Sequence, residues 1–168
     1  LGGLDRLYYP FYKSDLESGR FTESQLRELT RDFFWKISAM KIDANTPFYI
    51  CGKNVNGCDA SNEYTKVLLE EYRKLDIYDP KIHVLYYDNM NREVLELILE
   101  MIREGKNSFV FMNTDIIEKS LMKIGIEPED AKKIIICGCY EPAAEGTEIP
   151  ATCGGRIHLP KAIEFAIN

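Results

Sequence analysis

Apolar residues recur along this chain with two different periods, and the period switches repeatedly. At Leu26, Leu29, Phe33, Phe34, Ile37 and Met40 the spacing is helical, so one helix face is buried. Thr22 starts that helix, and Gln25, three residues on, completes a capping box. A second helical stripe runs through Tyr64, Val67, Leu68, Tyr72 and Leu75, with Asp59 or Ser61 as its cap. A third begins near Asn91, carries Val94, Leu95, Ile98, Met101 and Ile102, and closes at Gly105. Shorter helical segments follow at 115–123, at one turn opened by Glu127-Pro128, and at 159–167. Between them stand short runs rich in β-branched and aromatic residues: 48–51, 82–86, 109–112 and the one beginning at Ile134. Residues 1–21 read as aromatic and turn-rich, with Tyr8, Tyr9, Pro10, Phe11 and Tyr12 in a cluster.

Strands therefore alternate with helices, and no tight hairpin signal joins any two strands. That is the βαβ pattern of an α/β protein, with parallel strands and crossover helices. No internal repeat or low-complexity linker divides the chain, which reads as one domain or part of one. It opens on Leu1 rather than methionine, in what reads as mid-protein sequence, so a fragment is expected.

Composition narrows the function classes. The chain has 168 residues, 45% hydrophobic and 29% charged, with a net charge of −6 and no basic run. That balance argues against nucleic acid or an anionic membrane as partner. No apolar run approaches the roughly 18 residues of a membrane span, and no stretch of these residues reads as a signal peptide, so none is expected. Five cysteines, an odd number without a secreted scaffold's density, point to a reducing cytoplasm.

The candidate chemistry lies at 134–142. Ile134, Ile135 and Ile136 make a short buried strand that ends at Gly138, and Cys139 and Glu141 follow before Pro142. In extended backbone, residues two apart face the same side roughly 7 Å from one another. Cys139 and Glu141 can thus reach neighbouring atoms of one small substrate. Pro142 keeps Glu141 extended, and Gly138 lets another backbone approach closely. The open end of a parallel strand is where α/β proteins place ligands. A thiol there acts either as a thiolate, which needs a cation nearby, or as a thiyl radical, which needs a radical source. A carboxylate beside it serves as general base on the same substrate.

Other readings compete. Cys137, Cys139, Cys153 and His158 are zinc-ligand types, but C-x-C followed thirteen residues later by C-x₄-H is not the paired spacing of a structural site. No metal is therefore expected. Cys51 and Cys58 read as packing or incidental thiols, and His83, inside a strand pattern, as a hydrogen-bonded structural residue. Glu145 and Glu148 belong to a solvated acidic loop.

Four segments carry a resemblance to the glycyl radical enzymes of the pyruvate formate-lyase superfamily. Gly138-Cys139-Tyr140-Glu141-Pro142 resembles the G-C-x-E-P loop of its dehydratase and lyase branch. Residues 5–22, from Asp5 through Tyr9-Pro10 and Asp15 to Gly19 and Thr22, are similar to D-x-Y-x-Y-P-Y-Y-x-x-D-x-x-x-G-x-x-T. Residues 57–63 resemble G-x-D-A-[ST]-N-E, and residues 109–115 resemble F-x-x-x-N-D with Thr114 inserted. The departures are Tyr140 in place of a small aliphatic residue, Cys51-Gly52-Lys53-Asn54 in place of G-G-x-D, and Ala151-Thr152-Cys153 in place of a bulkier run.

The resemblance implies part of a ten-stranded α/β barrel built from parallel half-barrels, with the catalytic cysteine on an internal finger loop. Residues 1–168 would be an internal segment of that barrel domain, without the glycyl-radical domain and its R-V-x-G-Y motif. Cys139 would carry the thiyl radical and Glu141 would accept a proton from a substrate hydroxyl. Thr152 is the candidate substrate contact. The acid–base role follows from the residues themselves; the radical role follows only from the family. The implied activity is radical dehydration or C–X cleavage of a small hydroxylated substrate in anaerobic metabolism. This chain would be inactive alone, would bind no cofactor itself, and would depend on a glycyl radical outside it. A radical S-adenosylmethionine activating enzyme and a homodimer are the implied protein partners. The alternatives are an arylacetate-type radical decarboxylase, a cysteine-rich zinc or redox-binding module, and a non-catalytic remnant.

Overall fold

The computed structural model describes residues 2–40, 47–137, 140–147 and 158–167. Four strands, β1 (Gly2–Gly3), β2 (Phe48–Cys51), β3 (Ile82–Tyr86) and β4 (Phe109–Asn113), form one parallel sheet in the order β1-β2-β3-β4. The register runs Phe48–Ile82–Phe109 and Tyr49–His83–Val110 across the sheet. Helices make each crossover: α1 (Leu4–Glu17) and α2 (Glu23–Ala39), then α3 (Glu63–Arg73), then α4 (Arg92–Arg103). After β4 come α5 (Thr114–Lys123), α6 (Pro128–Ala131), β5 (Ile134–Cys137), β6 (Glu141–Ala144) and α7 (Leu159–Ile167).

The two faces of the sheet are covered differently. Phe48, Ile50, Ile82 and Val84 pack against Phe34 of α2, Leu68, Leu69 and Tyr72 of α3, and Val94, Ile98 and Met101 of α4. Phe34 anchors this layer, stacked on Phe48 at 5.6 Å and edge-on to Tyr72 at 5.3 Å. Alternation turns Tyr49 and Leu85 to the other face, where they meet Ile134 and Ile136 of β5, Leu121 of α5 and Ala131 of α6. Because both faces are covered, β2 is buried along its whole length, as parallel strands require.

Three sequence expectations are corrected. Residues 4–17 form a helix rather than turns, even though Pro10 cannot donate to the Arg6 carbonyl one turn back. Leu4 and Tyr12 of that helix are buried. The cap of α3 is Asn62, whose side chain accepts from the Tyr64 and Thr65 amides. Asp59 instead closes a turn of its own, accepting from the amide and hydroxyl of Ser61. The strands are also not all parallel: β5 and β6 form a separate antiparallel pair, joined by a link of only three residues. The capping box of Thr22 and Gln25 is present, with Gln25 Oε1 2.9 Å from the Thr22 amide. No described helix is long and apolar enough to cross a membrane.

Candidate active site

Glu141 opens β6 directly across from Cys137, the last residue of β5. Cys139 and Gly138, in the link between them, lie outside the described residues, as do Thr152, Cys153 and Glu148. The site is therefore built from what flanks that link. The Glu141 side chain is exposed, and its Oε2 accepts the Tyr140 backbone amide at 2.8 Å. The pair is fastened at its far end, where the Glu145 amide donates to the Lys133 carbonyl at 2.8 Å.

The strand pair lies against the sheet face that carries Tyr49, His83 and Leu85. His83 is 2% exposed, and its ring centroid is 6.1 Å from that of Tyr140. The Tyr49 ring edge closes over Gly3, where a Cβ would sit only 2.6 Å from it, so this glycine is a packing requirement. Burial, and after it the negative field of Glu145, pushes the Tyr49 hydroxyl above its usual range. The Arg6 guanidinium sits 6.0 Å from the Tyr49 ring centroid.

A second polar node organises the carboxyl end of β2. Asp5 is fully buried, and its Oδ2 accepts the Cys51 amide at 2.8 Å and the Thr65 hydroxyl at 3.0 Å. Arg6, the next residue, donates to the Cys51 carbonyl. Consecutive residues of α1 thus hold both sides of Cys51, which adopts a left-handed φ of 67°. That conformation is costly for a residue bearing a Cβ and persists only where its surroundings fix it. Burial outweighs the hydrogen bonds and raises Asp5 to about 6. Burial likewise pushes the Cys51 thiol well up, so it is a packing group rather than a nucleophile.

This node joins segments that are distant in sequence. Asn62 of the 57–63 segment donates from Nδ2 to the Asp5 carbonyl at 3.1 Å. Lys53 reaches Asp115 at 2.8 Å and Glu118 at 2.9 Å, tying the loop after β2 to α5. Burial alone would lower the Lys53 ammonium, but these two hydrogen bonds raise it. The Lys53 bond also holds Asp115 below the usual carboxylate range. Segments 5–22, 57–63 and 109–115 therefore converge at the carboxyl ends of the parallel strands. Among the described residues, no group of three or more His, Cys, Asp or Glu side chains is arranged to hold a metal.

The sequence reading missed Asp5, Arg6 and Tyr49, and it gave His83 only a structural role. For His83 and Tyr49 a signal existed, since alternation places them on the face opposite Ile82 and Phe48. For Asp5 the one signal was its place at the head of the 5–22 resemblance, and nothing local showed its role, because its partners are 46 and 60 residues away.

The whole chain, residues 1–168, matches the family described as pyruvate formate lyase-like. It is 30% identical over 162 residues to YbiW of Escherichia coli, named a probable dehydratase, covering 86% of this chain and 20% of that protein. It is 26% identical over 181 residues to trans-4-hydroxy-L-proline dehydratase of Clostridioides difficile, covering 99% of this chain and 23% of the relative. Its fold is similar to the crystal structure of a glycyl radical enzyme from Archaeoglobus fulgidus. There the TM-score is 0.75 at 25% identity, over 86% of this chain and 20% of that one. Further relatives are named isethionate sulfite-lyase and (2S)-3-sulfopropanediol dehydratase. The chain spans about a fifth of the length of these curated relatives.

Proposed function

The chain belongs to the pyruvate formate lyase-like family, whose matched relatives are glycyl radical dehydratases and lyases, and from that premise we propose that it supplies the thiol and the general base of such an enzyme. The observation that carries this reading is the Gly138-Cys139-Tyr140-Glu141-Pro142 run within a chain matched along its whole length. The four parallel strands would belong to a ten-stranded barrel of two half-barrels, and the β5–β6 link would be the finger loop inside it.

In this mechanism the Cys139 thiyl takes a hydrogen atom from the substrate carbon that bears a hydroxyl, leaving a thiol and a carbon radical. Glu141 accepts the hydroxyl proton, which places negative charge next to the radical centre. The neighbouring carbon then loses its substituent. A second hydroxyl leaves as water by taking up the proton held on Glu141, while another C–X group leaves as its anion and Glu141 gives its proton to solvent, so that the carboxylate is restored. The product radical recovers a hydrogen atom from the Cys139 thiol, which restores the thiyl. A positioned general base contributes about 10²–10⁴-fold to such a step. The initiating radical would come from a glycyl radical outside these 168 residues, formed by an S-adenosylmethionine-dependent activating enzyme, in a homodimeric protein.

The test is Glu141→Gln in the enzyme that contains this chain. The amide keeps the shape and an acceptor for the Tyr140 amide but is not basic. Turnover should fall about 10²–10⁴-fold with radical content unchanged. Turnover near the wild-type rate would refute the acid–base assignment.

A further inference from the structure

We propose that His83 is a positioning residue for Glu141, acting through the ring of Tyr140. The inference rests on the reading of Glu141 as general base. His83 sits on β3, an interior strand hydrogen-bonded to β2 on one side and β4 on the other. Its register neighbours are Tyr49 and Val110, and it is 2% exposed, so the imidazole is a fixed surface. Tyr140, by contrast, projects from the short β5–β6 link and is 60% exposed. The two rings approach at 6.1 Å between centroids with a 31° tilt, within the range of an offset aromatic contact.

Tyr140 is bound in turn to the carboxylate under discussion. Its backbone N–H donates to Glu141 Oε2 at 2.8 Å. A peptide plane is stiff, so a shift of the Tyr140 backbone moves that amide and with it the preferred position of the carboxylate oxygen. The chain of contact runs from a rigid strand, through one ring pair, to one backbone hydrogen bond. Glu141 and Cys137 face each other in the strand pair, so Tyr140 and Glu141 sit where that pair begins. A misplacement of about 1 Å at a reacting group can reduce a rate about 10²-fold.

The experiment compares His83→Ala, His83→Phe and Tyr140→Ala in the enzyme that carries this chain. Two readouts are taken: amide hydrogen exchange at Tyr140 and Glu141, and the separate values of kcat and KM. His83→Ala and Tyr140→Ala should each speed exchange at those two amides about tenfold or more, with β3 and β4 amides unchanged. They should lower kcat about 10–100-fold and leave KM within about threefold. His83→Phe, which keeps a flat ring against Tyr140, should restore both. Tyr140→Ala removes the contact from its exposed side, so it carries the test if His83→Ala loosens the sheet. Unchanged exchange and kcat in Tyr140→Ala would overturn the proposal. So would a His83→Phe enzyme with normal exchange and the low kcat of His83→Ala, since the imidazole would then be acting by proton transfer. If the exchange pattern is as expected but Glu141→Gln leaves turnover intact, the contact stands and the general-base reading falls.

Discussion

Replacing Asp5 with asparagine should flatten the dependence of folding stability on pH. The Asp5 carboxyl is buried with a pKa of about 6, against 3.8 for the free group. A raised folded pKa means that the folded state holds the proton more tightly than the unfolded chain does. The resulting stability is fully present below the unfolded value and is lost as pH rises through about 6. Two pKa units at about 1.4 kcal/mol each give about 3 kcal/mol between the two limits. From about pH 4.5 to about pH 7.5, about 2 kcal/mol of this is titrated away in the wild type. Asparagine keeps an oxygen for the Cys51 amide and the Thr65 hydroxyl. Its amide nitrogen, however, takes the place of Oδ1, which is buried with no hydrogen-bond partner among the described residues. That penalty is about 1–3 kcal/mol and does not change with pH. Urea denaturation of both proteins at the two pH values isolates Asp5, because every other titrating group is shared. The variant should gain about 2 kcal/mol on the wild type as pH rises across this interval. Parallel curves, equal within about 0.5 kcal/mol, would show that Asp5 is not desolvated as its burial implies.

Two further substitutions probe how the sheet and its helices are held. Gly52→Ala places a Cβ at a φ of +83°, within 2.8 Å of Arg6 Nη2 and 2.9 Å of the Leu85 Cβ. With Leu85 buried in the core, the loss should be about 2–3 kcal/mol, a drop in Tm of about 4–10 °C in a thermal melt. Glu71 is fully buried between α2 and α3, where it receives Lys74 at 2.6 Å, Arg31 at 3.1 Å and Arg27 at 3.3 Å. Its three partners are partly exposed and regain water when it is removed. Glu71→Ala should therefore cost about 2–3 kcal/mol, below the usual loss for a fully buried pair, read from the urea midpoint.

Where local chemistry decides structure, the sequence was legible. The strand Ile82–Tyr86 and the Thr22 capping box are set by β-branched runs and by side chains that find the nearest orphan amide. Helix α1 was hidden by Pro10, which argues against a helix locally, while Leu4 and Tyr12 gain enough from burial to override it. The β5–β6 pair was hidden by Pro142, which cannot donate to a ladder. In a two-stranded pair every strand is an edge, so Pro142 sits opposite Ile136 and needs no inner partner. The Asp5 node depends on the sheet itself, which brings Cys51 and Thr65 to one carboxylate across tens of residues. Glu141 was identifiable from its run alone, whereas the face of Tyr49 and His83 that receives the strand pair, with Tyr140 against His83, follows only once that pair is known to fold back on the sheet.

The central claim is that Cys139 relays a radical to substrate beside Glu141. Electron paramagnetic resonance of the activated Cys139→Ala enzyme, with turnover measured on the same sample, tests it most directly. The account predicts glycyl-radical content equal to the wild type and no turnover, since the radical is stored elsewhere and only the relay is gone. Turnover by Cys139→Ala within about tenfold of wild type would contradict it, because losing an obligatory covalent or radical group leaves far less than that.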